Sequence, residues 1–322
     1  MSPVDPEPWR LHLDDFTLRV DLAGAPELNR RWRNFVIADV QNANSDEPFD
    51  AEIATSADIA PPPPDDTFEV DGRLASWSLE HIWADTPAGI LVGRPGLYRL
   101  HRLPGSSNTP YEPAMAVLGH IAAQRGWNSL HSGLIPTPQG AILLIGESGK
   151  GKSTTAAAAL HLGWPVESDD VTYLRSDGND IMAMGLPRVL SVPDAALSGH
   201  FRVGPVPRLD HRARRSVRDF PRLGGWHRVV GVIEVDHGFE AATTISSLSS
   251  LELIQAMFRN QAIAGAVPGR DAGLKNLLST FGRLPSARLE LGTDGRARLD
   301  STAAALRALA DRIDSDDLVA SS

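Results

Sequence analysis

The chain has 322 residues, 42% hydrophobic and 22% charged, which is the composition of a globular protein with room for two ordinary domains. It contains no cysteine, which excludes a disulfide framework, a thiolate zinc site and a cysteine nucleophile, and fits a reducing compartment. A formal net charge of −9 argues against general nucleic-acid binding, which leans on clustered Lys and Arg.

Residues 1–10 combine Pro3, Pro6 and Pro8 with Asp5 and Glu7 and lack the basic start and apolar stretch of a secretory signal, so the mature chain is expected to begin here. No apolar run approaches the ~20 residues of a membrane helix. The expectation is a soluble, cytoplasmic protein with neither a membrane nor a nucleic-acid partner. From residue 11 to about 103, stretches of β character at 16–22, 34–40, 67–83 and 90–100 are separated by turn-rich segments, and helical periodicity is scarce. The segment 41–66 ends in the prolines 61–64 and is incompatible with a helix or a central strand. This predicts an N-terminal, mostly β domain over residues 1–108, with Trp9, Trp32, Trp77 and Trp83 in its core. Recruitment of a substrate or partner is the role its separateness leaves for it.

The linker-like stretch 103–110 marks the boundary to a second domain, 109–322. There Pro113 sits where a helix can begin, with Ala114, Leu118 and Ile121 on one face. Short apolar strands at 141–145, 171–174 and 229–235 then alternate with helical patterns, which reads as an α/β domain. Ser249 and Glu252 form a capping box, and further helices are expected at about 272–281 and 302–313 with a strand at 287–291 between them.

Residues 146–153 read Gly-Glu-Ser-Gly-Lys-Gly-Lys-Ser, the pattern G-x-x-x-x-G-K-[ST] between an apolar strand and an alanine-rich helix at 154–162 that Gly163 would end. Glycines let backbone N–H groups curl around phosphate oxygens. On this reading Gly146, Glu147, Ser148, Gly149, Lys150, Gly151, Lys152, Ser153 and Thr154 bind the phosphates of ATP. Lys152 supplies a point charge, Ser153 a hydroxyl for Mg²⁺, and the helix its positive dipole end. Whether Lys150 meets phosphate or solvent stays open at this level.

After a strand-like stretch at 164–167 come Ser168, Asp169 and Asp170. Beside a triphosphate, one carboxylate can serve Mg²⁺ and another can take the proton of an attacking hydroxyl. Ser153, Asp169 and Asp170 are therefore the candidate metal ligands, and Asp169, Asp170, Lys152 and His131 the candidate catalytic set. The alternative for the acidic pair is a capped surface turn, and for His131 a structural histidine between strand and helix.

Taken together, Leu130-His131-Ser132-Gly133, the loop 146–153 and the Asp169-Asp170 pair resemble, in order and spacing, HPr kinase/phosphorylase and its HPr-kinase-like relatives, some of which accompany lasso-peptide biosynthesis. The resemblance is clear over 130–174, extends less closely to 313, and is not visible before residue 110. It implies a P-loop kinase domain of the HPr-kinase/PEP-carboxykinase-like type. It further implies ATP and Mg²⁺ as cofactors, a serine of a peptide or protein as acceptor, an acid–base role within the Asp pair and a phosphate-side role for His131. Residues 229–233 are only a faint echo of the family's downstream glycine-bearing signature, which puts phosphorylase activity and HPr as the substrate in doubt.

Arginine is frequent between 202 and 228, at Arg202, Arg208, Arg212, Arg214, Arg215, Arg218, Arg222 and Arg228, which reads either as a substrate-receiving loop or as a solvated one. Arg188 is a weaker candidate for phosphate contact. Three readings of function remain at this level: a serine kinase, a nucleotide-binding regulatory protein that turns ATP over slowly or not at all, and a kinase of a small-molecule alcohol. Self-association as a homo-oligomer is left open.

Overall fold

A computed structural model of the protein describes residues 7–13, 16–36, 41–42, 48–70, 72–186, 188–193, 203–204, 214–217, 220, 222–259, 277–293 and 298–314. The chain forms two compact units, one of residues 1–127 and one of residues 128–266 with 270–322.

The first unit is built on one mixed sheet. Its strands are β1 (Trp9–Leu13), β2 (Phe16–Asp21), β3 (Gln41–Asn42), β4 (Ala51–Ser56), β5 (Phe68–Val70), β6 (Arg73–Trp77), β7 (Ile82–Thr86), β8 (Gly89–Arg94) and β9 (Leu97–His101), in the order β3-β1-β2-β4-β9-β8-β7-β6-β5. The expected strands 67–83 and 90–100 are each divided by turns, the latter at Gly96, whose φ of 81° suits glycine. The segment 41–66, expected to hold no central strand, contains β4, which pairs with β2 on one side and β9 on the other, because the prolines that forbid pairing occupy only 61–64. One helix was not legible: α1 (Pro26–Phe35) begins with Pro26 in its first turn and Glu27 beside the helix dipole, and buries Leu28, Asn29 and Trp32. It takes up residues 34–35 of an expected strand whose residues 37–40 lie outside the described set. Trp9, Trp32 and Trp83 are buried as expected, whereas Trp77 is half-buried against Phe68. The helix expected near Pro113 is α2 (Tyr111–Gln124), which belongs to this unit, its His120 bonded to the Tyr98 hydroxyl and to the Ser78 carbonyl.

In the second unit the main sheet runs β10 (Asn128–Leu130), β13 (Thr172–Asp177), β14 (Asp180–Gly185), β18 (His227–His237), β12 (Gly140–Ile145), β11 (Gly133–Thr137). Off this path, β20 (Ser286–Leu291) pairs with β18, and β19 (Thr244–Ser247) pairs with β20. A small sheet holds β15 (Leu190–Pro193), β17 (Arg214–Val217) and β16 (Val203–Gly204). Strands β12, β18 and β20 are parallel neighbours, and successive residues along them face opposite layers. Leu144, Ile233, Val235, Leu289 and Leu291 pack with α3 (Lys152–His161) and α5 (Arg298–Asp314). Leu143, Ile145 and Val232 pack on the other face with α4 (Ser250–Arg259) and Phe281. Burial on both faces explains why residues 141–145 show a continuous apolar run and no alternation.

Local chemistry sets the ends of these elements. Ser249 and Glu252 bond reciprocally at the start of α4, the capping box expected there. At the end of α3, Gly163 has a φ of 78°, its N–H bonds to Leu160 O, and the N–H of Trp164 bonds to Ala159 O, which together form a Schellman turn. That turn accounts for one failed expectation. Residues 164–167 form no strand, because Trp164 is spent on the helix cap and Pro165 has no N–H, so pairing is confined to an isolated bridge between Ser168 and Leu134. The expected helix at 272–281 is described only over 277–281, which is helical. Arg202, Arg208, Arg212 and Arg218 lie outside the described residues.

Candidate functional site

The loop after β12 must turn a buried strand into a helix beside two other strands, and only glycine fits at its ends. Gly146 has a φ of 151°, and a Cβ there would lie 2.5 Å from the Val235 carbonyl oxygen. At Gly151, with φ 112°, a Cβ would lie 2.1 Å from Leu291 Cδ1. Between them Glu147, Ser148 and Gly149 are exposed. Ser153 and Thr154 stand in the first turn of α3, with its dipole's positive end toward the loop.

Lys152 is buried, with only 6% of its surface exposed, and its Nζ donates to the carbonyls of Gly146 and Glu147 and to His131 Nε2 at 3.0 Å. An ammonium can only donate, so Nε2 accepts and the neutral imidazole carries its hydrogen on Nδ1. That nitrogen lies 3.1 Å from Asp170 Oδ1. The network continues through Arg188, with Nη1 3.1 Å from Asp170 Oδ2 and Nη2 donating to Asp169 Oδ1 at 3.2 Å. Thus Lys152, His131, Asp170, Arg188 and Asp169 form one connected chain of contacts. Burial pushes the Asp170 carboxyl up, but the charge of Arg188, the hydrogen bond from His131 and the charge of Lys152 outweigh it and hold the group well below the usual carboxylate range.

The turn carrying the acidic pair is shaped by Ser168, whose Oγ accepts from the N–H groups of Asp170 and Val171. The two carboxylates differ in access: the Asp169 side chain is 1% exposed and that of Asp170 17%. Just upstream, buried Glu167 accepts from Arg222 and from the N–H groups of Leu223 and Gly224, which ties residues 222–224 to the chain just before the pair.

Sequence reasoning missed the opposite flank. Ile145 of β12 pairs with Glu234 of β18, so the residues that follow each lie level with one another. Lys150 Nζ is 2.8 Å from Asp236 Oδ1, and His237 Nε2 donates to Gly149 O at 3.0 Å. Bonding to Asp236 raises the Lys150 pKa, and burial of Asp236 is outweighed by its bond to Lys150, which lowers its own. Below this pair, buried Glu234 receives Arg259 and Arg288. The signal was an acidic residue ending an apolar strand at 229–235, but only the parallel pairing of that strand with β12 gives it meaning.

A divalent magnesium ion favours hard oxygen donors and usually takes one or two carboxylates, completing its shell with water and phosphate. Among the described residues there is no cluster of three or more His, Cys, Asp or Glu that would cage a metal. Ser153, Asp169 and Asp170 carry oxygen donors of that kind, and in this structure both carboxylates are engaged by Arg188.

No protein-family model matches the chain, and no curated protein matches it. Among solved structures it is similar to the Hpr(Ser) kinase/phosphatase from Coxiella burnetii, with 13% identity, 57% of this chain and 98% of that chain covered, and a TM-score of 0.28. No helix among the described residues is long and apolar enough to cross a membrane.

Proposed function

We propose that this protein is an ATP- and Mg²⁺-dependent kinase of HPr-kinase-like type that phosphorylates a serine hydroxyl on a peptide or protein. A ribosomally made peptide of the lasso type is the acceptor that the sequence resemblance favours. One observation carries the reading: the loop lysine, Lys152, reaches the carboxylate of Asp170 through His131, all within 3.1 Å contacts. A phosphate-binding turn joined in this way to an acidic group has both halves of a phosphotransfer site.

Loop amides and Lys152 would bind the triphosphate, with Lys152 exchanging its carbonyl partners for phosphate oxygens. The ion, held by Ser153 and one carboxylate of the acidic pair, would neutralise charge on the phosphates. Asp170 would accept the hydrogen bond of the serine hydroxyl and orient it as the bond from the γ-phosphorus to the bridging oxygen breaks and the bond to serine Oγ forms. ADP leaves, and the hydroxyl proton passes to Asp170 or to water. A carboxylate held this acidic is a weak base, yet phosphoryl transfer through a loose transition state depends more on positioning than on basicity. His131, held by Lys152 and Asp170, keeps that carboxylate aimed.

The same acidity favours a second reading, a nucleotide-binding regulatory protein, because Arg188 spans both carboxylates in the resting state. Incubating the full chain with ATP, Mg²⁺ and serine-containing peptides, then measuring peptide mass, separates the two. A kinase adds about 80 Da per hydroxyl, the mass of HPO₃, and Asp170→Asn slows the gain by about a hundredfold. Intact nucleotide binding with no gain on any hydroxyl-bearing candidate would establish the regulatory reading.

A further inference from the structure

The loop presents two ammonium groups in different states. Lys152 is buried and turned toward His131, whereas Lys150, its side chain 34% exposed, is directed at Asp236, whose side chain is 41% exposed. Glu147 and Glu234 also act on Lys150, and His237 acts on Asp236. His237 fixes the loop's tip by bonding the Gly149 carbonyl. An ion pair this exposed is weak, because water solvates both partners well, and it exchanges readily. A polyphosphate carries several negative charges against one on a carboxylate, so it competes for the same ammonium.

We propose that Asp236 is a positioning residue that holds Lys150 away from the phosphate-binding turn until a nucleoside triphosphate arrives. Lys150 then leaves Asp236 and becomes a second phosphate-contacting lysine, while His237 keeps the loop's tip in place. This inference rests on the reading of the loop as a nucleotide site.

Isothermal titration of the full chain with ATP and Mg²⁺ tests it, comparing wild type with Asp236→Asn, Asp236→Glu, Lys150→Ala, Lys152→Ala and the double variant of Asp236→Asn with Lys150→Ala. Asp236→Asn is expected to bind about two- to fivefold tighter, the range of an exposed ion pair. Asp236→Glu should stay near wild type, Lys150→Ala should bind more weakly by a similar factor, and the gain from Asp236→Asn should vanish once Lys150 is absent. An Asp236→Asn gain that persists without Lys150 would reduce Asp236 to a general charge effect and overturn the proposal. So would unchanged or weaker binding in Asp236→Asn, or unaltered binding in Lys150→Ala, which removes no buried group and serves if the aspartate variants fail to fold. Loss of binding in Lys152→Ala alongside any of those results removes this inference and leaves the nucleotide site standing, whereas a wild type that binds no nucleotide overturns both.

Discussion

Lys150 and Lys152 sit in one short loop, yet their surroundings differ in kind. Lys152 belongs to a chain of contacts that joins it and buried Asp169 through partly buried His131, Asp170 and Arg188, while Lys150 belongs to a more exposed pair with Asp236. Enclosure and shared partners make the first set costly to disturb. Exposure makes the second cheap to exchange. One flank is thus suited to holding reacting groups still, and the other to adjusting charge at the loop.

The largest effect is expected at Lys152. Lys152→Ala should lower phosphotransfer by about a hundredfold or more, the loss seen when a preorganised donor to transition-state charge is removed, and titration calorimetry should show weakened nucleotide binding. Asp170→Asn should reduce turnover by a comparable factor with nucleotide affinity little changed, which steady-state rates and titration on the same preparation would show. If affinity fell as much as turnover, Asp170 would belong with the nucleotide and not with the acceptor.

Arg188→Ala should destabilise the second unit by about 3–5 kcal/mol, because it strips the shared partner from two enclosed carboxylates. Chemical denaturation reads this, and Arg188→Lys should rescue little, because an ammonium cannot span two carboxylates as a guanidinium does. Gly151→Ala should cost stability of about 1 kcal/mol or more for the left-handed backbone alone, plus the displacement of Leu291, and should distort nucleotide binding. The smallest effect concerns pH. The folded-state pKa of Asp170 lies below its unfolded value of about 3.9, so its contribution to stability is whole above about pH 4 and is lost as pH falls through the folded value. The rate profile above pH 4 should therefore contain no limb from Asp170, and a limb that disappears in Asp170→Asn would contradict the network.

The loop was legible because its glycines and Lys152 obey local rules: a strand of apolar residues, positive φ at Gly146 and Gly151, and a helix that ends at Gly163. The capping box at Ser249 and Glu252 was legible for the same reason. The α1 helix was not, since its short apolar stripe of Leu28 and Trp32 gains its meaning from burial in the first unit's core. Nor was the failure of residues 164–167 to form a strand, which turns on how the backbone N–H of Trp164 is used. Arg188 was noticed as a stray arginine, and its place between two carboxylates depends on β14 returning the chain to the acidic turn.

The glycine-rich turn between strand and helix, the acidic pair and the histidine before them could be read from the residues alone, because turn geometry and helix capping are settled among near neighbours. Only the tertiary structure decided which of those groups meet, that Asp170 and not Asp169 faces His131, and that Asp236 lies beside Lys150. Those pairings depend on the parallel register of β12 with β18 and on the bridge between Leu134 and Ser168. Contacts between residues distant in the chain follow from how strands align, and the continuous apolar runs of β12 and β18, buried on both faces, carry no alternation that would fix that alignment.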